Sequence, residues 1–181
     1  MSEHRVADPG PLGLAGFAMT TFMLSSANAH LWSEAGAGAA LSLALIYGGL
    51  AQLLAGMWEF VRKNTFGALA FTSYGAFWIG VYLLLNVVKS PTSLAVYLLS
   101  WTIFTFYMWI ASFQASKMLA ILFTLLLVTF VFLTIGAWGA GHVGMTKAGG
   151  WFGIATALVA WYISAAGVTN DTAGRKILPT L

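Results

Sequence analysis

One stretch decides the fold class: residues 119–128 read LAILFTLLLV, nine apolar side chains and one threonine with no alternation. A strand of a membrane-spanning β-barrel alternates apolar and polar residues, so this stretch favours a helix over a barrel strand. A helix that is apolar on every side is buried either in a large protein core or in a lipid bilayer. The composition of the whole chain decides between these two environments.

Of the 181 residues, 60% are hydrophobic and only 7% are charged, whereas about 25% of the residues of a soluble domain are charged. So few charges cannot give a chain of this length a polar surface, which excludes a soluble domain. The sequence therefore predicts an integral membrane protein. It contains no cysteine, which excludes disulfides and thiol chemistry.

The charged residues separate six charge-free windows of 23 to 29 residues. A membrane-spanning helix needs about 20 mostly apolar residues, so each window holds one helix and none holds two. The prediction is an all-α membrane protein with six transmembrane helices in a single domain covering residues 1–181. The approximate spans are residues 12–31, 37–58, 66–87, 93–114, 118–138 and 149–168.

The basic residues predict the orientation of these spans. With six spans, both termini lie on the same side of the membrane. The segments on that side carry six basic residues: Arg5, Arg62, Lys63, Lys117, Arg175 and Lys176. The segments on the opposite side carry two, Lys89 and Lys147. The positive-inside rule places both termini in the cytoplasm. We expect the protein to lie in the cell (inner, cytoplasmic) membrane. The bases are spread over short loops, so the net charge of +3 does not indicate a nucleic-acid partner.

The polar residues inside the predicted spans are almost all neutral. Glu59 lies at the cytoplasmic end of the second span, and its neighbours Arg62 and Lys63 favour a solvated cluster. The amide of Gln52 needs a partner or a cavity if it is buried in lipid. No nucleophile–base pair or metal-ligand cluster is visible in the sequence, so we expect neither an enzyme nor a metal or other cofactor. Neutral lining groups suit a small solute that is neutral or singly charged.

Several motifs resemble the acetate uptake transporter family, which includes bacterial succinate–acetate permeases. They are DPGPLGL at residues 8–14, YGGLAQ at 47–52, NTFG at 64–67, AFTSYGAFW at 70–78 and GRKILP at 174–179. The likeness extends over nearly the whole chain, although helices 4 to 6 match mostly in pattern. One departure is Asp8, where the family has asparagine, which adds a charge at a possible pathway mouth.

The resemblance implies transport of acetate, with succinate and similar short carboxylates as further substrates. It also implies a homo-oligomer that forms a hexameric ring, in which each protomer has its own pathway. It further implies a hydrophobic constriction in that pathway, formed by Phe17, Tyr74 and Leu126. Counted from the nearest cytoplasmic charge, all three lie about 14–17 Å deep at 1.5 Å per residue. That depth is near the middle of a hydrocarbon core of about 30 Å.

Polar residues flank these positions and could line the pathway. They are Thr20, Thr21, Tyr47, Gln52, Asn64 and Thr72. Because an anion crosses an apolar ring only at a high free-energy cost, we expect acetate to pass with a proton or as acetic acid. The apparent lack of buried acids favours a channel-like path over a coupled carrier. Two alternatives remain: a channel for small neutral solutes such as urea or ammonia, and a membrane scaffold that transports nothing.

Overall fold

The computed structural model describes residues 6–32, 34–138 and 142–180 of the chain. All regular structure in these ranges is helical. The helices are α1, Gly10–Asn28; α2, made of Glu34–Leu45, the π-helical turn Ile46–Ala51 and Gln52–Val61; α3, Thr65–Leu83 followed by the π-helical turn Leu84–Val88; α4, Pro91–Ala115; α5, Lys117–Ala137; and α6, Val143–Ala173. The prediction of an all-α fold is confirmed.

Five segments of the described chain are long and apolar enough to cross a membrane: Gly38–Val61, Thr65–Val88, Pro91–Ala115, Lys117–Ala137 and Val143–Ala173. Helix α1 has 19 residues and is a sixth candidate, but hydroxyl side chains such as Thr20 and Ser25 make it less apolar. The long helices of this chain are those of a membrane protein.

Side-chain caps explain where three of the helices begin. The side-chain oxygens of Asn64, Ser90 and Ser116 each accept a hydrogen bond from the backbone N–H three residues on, at 3.1, 3.3 and 3.1 Å. These bonds satisfy N–H groups that have no partner within the first turn of a helix. Short polar turns can therefore separate long apolar helices without leaving buried donors unpaired.

Helices α1 and α6 lie side by side and run in opposite directions. The Ser164 hydroxyl donates to the Pro11 carbonyl near the start of α1, at 2.7 Å. Near the other end of α1, Gly150 of α6 packs against the backbone of Asn28 and Ala29. The start of α1 and the end of α6 therefore lie at the same end of the bundle, which we call the terminal end. We call the opposite end the distal end.

Small residues let the helix backbones approach closely. A Cβ atom on Gly75 of α3 would lie 2.7 Å from the backbone nitrogen of Leu53 and 2.8 Å from the carbonyl oxygen of Gly49, both on α2. A Cβ atom on Gly16 of α1 would lie 2.6 Å from the carbonyl oxygen of Tyr47. Close approach through small residues is how helices associate in lipid, where the hydrophobic effect does not drive them together.

The contact at Gly75 makes a stability prediction. Gly75→Ala should lower the melting temperature of the purified protein in detergent, because backbone atoms of α2 cannot move away from the added methyl group. Overpacking of this kind destabilises a protein by about 1–3 kcal/mol. The matched control is Gly144→Ala, where an added Cβ meets nothing within 4 Å and the melting temperature should be unchanged or slightly higher. Equal melting temperatures for the two variants would contradict the prediction.

Candidate functional site

Two cavities, with volumes of about 290 and 300 Å³, lie towards opposite ends of the bundle. The terminal cavity lies among the start of α1, the end of α2 and the starts of α3 and α5. The distal cavity lies among the ends of α1, α3 and α5 and the starts of α4 and α6. Two side chains, Phe17 of α1 and Leu126 of α5, line both cavities. These two side chains therefore mark the boundary between the cavities.

The structure brings the three residues of the predicted constriction to this boundary. Phe17, Tyr74 and Leu126 are all buried, and the ring centroids of Phe17 and Tyr74 are 5.9 Å apart. Tyr74 lines the terminal cavity, on the side of the boundary that faces the chain ends. The arrangement is an apolar partition between two cavities, and its role in a solute pathway stays a prediction.

The hydroxyl of Tyr74 is held by a residue of α4 that no sequence motif identifies. The oxygen atoms of Tyr74 and Thr105 are 2.9 Å apart, and Thr105 is fully buried. The Tyr74 ring also packs edge-on against Phe104, at a centroid distance of 5.3 Å. Buried hydroxyls need a partner, so this bond fixes the ring where the two cavities meet.

Two of the predicted polar residues face the cavities without a hydrogen-bond partner. Gln52, 1% exposed, lines the terminal cavity, and its side-chain oxygen is unpartnered within the described residues. Thr21, 4% exposed, lines the distal cavity, and its hydroxyl is likewise unpartnered. The indole N–H of Trp78 is a third such group, also in the lining of the distal cavity. Leaving a buried polar group unpaired costs about 1–3 kcal/mol, a cost that a polar solute in the cavity would remove.

Of the remaining four predicted polar residues, one lines a cavity and three do not. Asn64 lines the terminal cavity. Thr20, Tyr47 and Thr72 are outside the described linings of both cavities and lie in contacts between helices. The Thr20 hydroxyl donates to the Gly16 carbonyl of its own helix at 2.9 Å. Thr72 packs against a glycine of α2, and the Tyr47 carbonyl faces α1.

Glu59 requires a correction. We expected it in a solvated cluster, but it is only 2% exposed and lines the terminal cavity. One carboxylate oxygen accepts from the Asn64 side-chain amide at 2.9 Å and lies 3.9 Å from the Arg62 guanidinium. A Cβ atom on Gly67 would lie 2.9 Å from the Glu59 carboxyl carbon. The first turn of α3 therefore covers Glu59, a tertiary contact that sequence position cannot reveal.

Asp8 and Arg62 form an ion pair at the rim of the terminal cavity. Their side chains are 45% and 35% exposed, and exposed pairs contribute about 0–1 kcal/mol. Asp8 also accepts a hydrogen bond at 2.9 Å from the N–H of Gly10, the first residue of α1. The Arg62 side chain lies between two acids, Asp8 at the rim and Glu59 inside.

A bundle of membrane helices that encloses two cavities on either side of an apolar partition defines a class of protein: a channel or transporter for small solutes. The chain belongs to the GPR1/FUN34/yaaH family, whose profile matches residues 1–181. The resemblance seen in the sequence motifs is confirmed.

Three relatives support this assignment. The chain is 41% identical over 179 residues to ammonia transport outward protein 2 of Saccharomyces cerevisiae, covering 92% of this chain and 63% of the yeast protein. It is 37% identical over 186 residues to the succinate-acetate/proton symporter SatP of Escherichia coli, covering 99% and 97%. A solved structure of the bacterial acetate channel SatP superposes with a TM-score of 0.91 at 36% identity, covering 98% of this chain and 100% of that one. This is a family of transporters and channels and not of enzymes, as predicted.

The bond between Tyr74 and Thr105 can be tested by a double-mutant cycle. Thr105→Val should destabilise the protein because it leaves the Tyr74 hydroxyl buried without a partner, and Tyr74→Phe in the same background should recover part of the loss. Hydrogen bonds between membrane helices average about 0.6 kcal/mol and reach about 1.7, so we expect a coupling free energy in that range. Denaturant titration of the four proteins in detergent measures it. A coupling free energy of zero would show that the bond does not contribute to stability.

Proposed function

We propose that the protein carries acetate, and short carboxylates such as succinate, across the membrane together with a proton. The observation that carries this proposal is the shared lining: Phe17 and Leu126 border both cavities, so they are the point at which a solute would pass from one to the other. The relatives named as acetate and succinate transport proteins support the substrate class.

The chemistry of the two cavities suits a carboxylate. In the terminal cavity the Gln52 amide can rotate to present its N–H₂ group to a carboxylate oxygen. In the distal cavity the Thr21 hydroxyl and the Trp78 indole N–H are unpartnered donors. An ion that left these groups for the apolar partition would lose its solvation, and a proton on the carboxylate removes most of that cost.

The same proposal includes a membrane topology. Six helices cross the bilayer, close to the spans expected from the sequence, with both termini in the cytoplasm and the terminal cavity facing that side. The support is the placement of the start of α1 and the end of α6 at the terminal end of the bundle and the excess of basic residues predicted from the sequence for that side. We place the protein in the cell inner membrane.

Exposed apolar side chains support contact with lipid and with other copies of the chain. On α4 they recur along an exposed face: Ile103, Phe106, Ile110 and Phe113. Such a face suits acyl chains or the surface of a second protomer. We propose a hexamer, which rests on the family resemblance.

Ammonia is the second candidate solute, because a yeast relative is named an ammonia transport protein. A small neutral solute such as ammonia or urea could also use hydroxyl and amide groups. Glu59 and Asp8 in the terminal cavity would favour a cation at that end. A scaffold without transport is the least favoured alternative, because it gives no reason for unpartnered polar side chains in both cavities.

The first functional prediction is uptake of radiolabelled acetate into proteoliposomes. With an inward pH gradient, acid outside, uptake should exceed that of empty vesicles, because the gradient drives the acetate that carries a proton. Excess unlabelled succinate should reduce the uptake, whereas urea and ammonium chloride should not. Acetate uptake equal to that of empty vesicles would remove the proposal. Competition by ammonium or urea would favour the alternative solutes.

The second functional prediction concerns the size of the partition. Leu126→Ala should raise the uptake of larger carboxylates relative to acetate, because it removes a branched side chain from the boundary between the cavities. The matched control is Leu127→Ala, the same change at a neighbouring position of α5 outside both described cavity linings. If the ratio of butyrate to acetate uptake is the same in both variants and the unmodified protein, Leu126 does not limit the pathway.

A further inference from the structure

Glu59 is a buried carboxylate that helix packing alone does not explain. Within the described chain, its oxygen Oε2 takes one hydrogen bond, from Asn64, and its oxygen Oε1 takes none. Its nearest cation, Arg62, is 3.9 Å from Oε2 and is also paired with Asp8 at the rim. A fully paired structural carboxylate would have hydrogen bonds to both oxygens. The oxygen Oε1 of Glu59 is therefore available to bind another partner.

The position of Glu59 along α2 determines when a solute that enters the terminal cavity would contact it. Gln52 lies seven residues earlier on the same helix and lines the same cavity, about 10 Å further from the rim at 1.5 Å per residue. Residues seven apart are on the same face of a helix. A solute that enters at the rim beside Asp8 and Arg62 therefore meets Glu59 first, then the unpartnered amide of Gln52, and then Phe17.

We propose that Glu59 is the proton donor for the carboxylate substrate in the terminal cavity. The inference rests on the proposed function and names the group that performs its proton step. Protonated Glu59 donates through Oε1 to a substrate oxygen. The O–H bond on Glu59 breaks and a new O–H bond forms on acetate, which leaves the Glu59 carboxylate and neutral acetic acid. Glu59 then takes a proton from water at the rim, and movement in the opposite direction reverses each step.

The surroundings of Glu59 accommodate both forms of its side chain. The carboxylate keeps the Asn64 N–H and the attraction of Arg62, whereas the acid can donate from Oε1 into the cavity. The other titratable groups in the described lining of this cavity are Asp8, Arg62 and Tyr74. The Tyr74 hydroxyl is bonded to Thr105, and Asp8 is at the partly exposed rim, so Glu59 is the acid that is both buried and open to the cavity.

The test compares acetate uptake by Glu59→Gln and unmodified proteoliposomes at pH 7 and at pH 5, with empty vesicles subtracted. Glutamine keeps the size of the side chain and can still accept from Asn64, but it has no proton to give. At pH 7 uptake should fall by about a hundredfold, which is the low end of what a positioned acid contributes. At pH 5 the loss should be several-fold smaller, because about a sixth of the acetate, whose pKa is close to the value of about 4.3 of a glutamate side chain, then arrives already protonated, against about 0.2% at pH 7.

Two further variants complete the test. Glu59→Asp keeps the acid and should restore most of the uptake at pH 7, which a lost packing contact would not explain. Asp171→Asn makes the same chemical change at an exposed acid near the end of α6 and should match the unmodified protein at both pH values.

The results that would overturn the role of Glu59 can be distinguished from the result that would remove the proposed function. An equal fold-loss at the two pH values, or uptake by Glu59→Gln equal to that of the unmodified protein at pH 7, overturns the role of Glu59 and leaves the proposed function standing. A pH-dependent loss in Asp8→Asn but not in Glu59→Gln moves the proton step to the rim and also overturns it. No uptake by the unmodified protein removes the proposed function and the role of Glu59 with it.

Discussion

The structure depends on one constraint: inside a bilayer, a polar group has no water to bond and must find its partner within the protein. Helices satisfy the backbone, and caps such as those of Asn64 and Ser116 satisfy the first turns. Most buried hydroxyls follow the same rule, as the bonds from Thr20 to its own helix and from Tyr74 to Thr105 show. Against that background, the few buried polar groups without a partner become informative.

Five side chains of the described chain are such exceptions, and three of them line the cavities, whereas Ser26 and Thr72 lie outside both described linings. Gln52 faces the terminal cavity, and Thr21 and Trp78 face the distal cavity. The buried side chains of Phe17 and Leu126 lie between these groups and form an apolar partition that separates the two cavities. A solute with a carboxylate group would be bound on both sides of this partition and would cross it most easily without charge. The hydrogen-bonding groups would thus bind the solute in the cavities, and the apolar groups would favour its uncharged form at the partition.

Glu59 changes the physical description of the proposed transport step. With every acid in solvated loops, a proton could reach the substrate only in bulk water before entry. A carboxylate that is buried beside Asn64, with one oxygen open to the cavity, would allow proton exchange after the substrate has entered. The close approach that makes this possible comes from Gly67, whose missing side chain lets the start of α3 cover the carboxylate.

The sequence by itself determined the membrane environment and the helical class, and it predicted the spans and the depth of each residue, because hydropathy and the 1.5 Å rise depend only on chain order. It therefore indicated that Phe17, Tyr74 and Leu126 lie at one level. Only the tertiary structure decided which way each residue faces. Thr20 and Thr21 are adjacent in the chain, yet the first packs against α2 and the second lines a cavity. The direction in which each side chain points is set by the packing of six helices against one another. The burial of Glu59 and the hydrogen bond between Tyr74 and Thr105 follow from that packing alone.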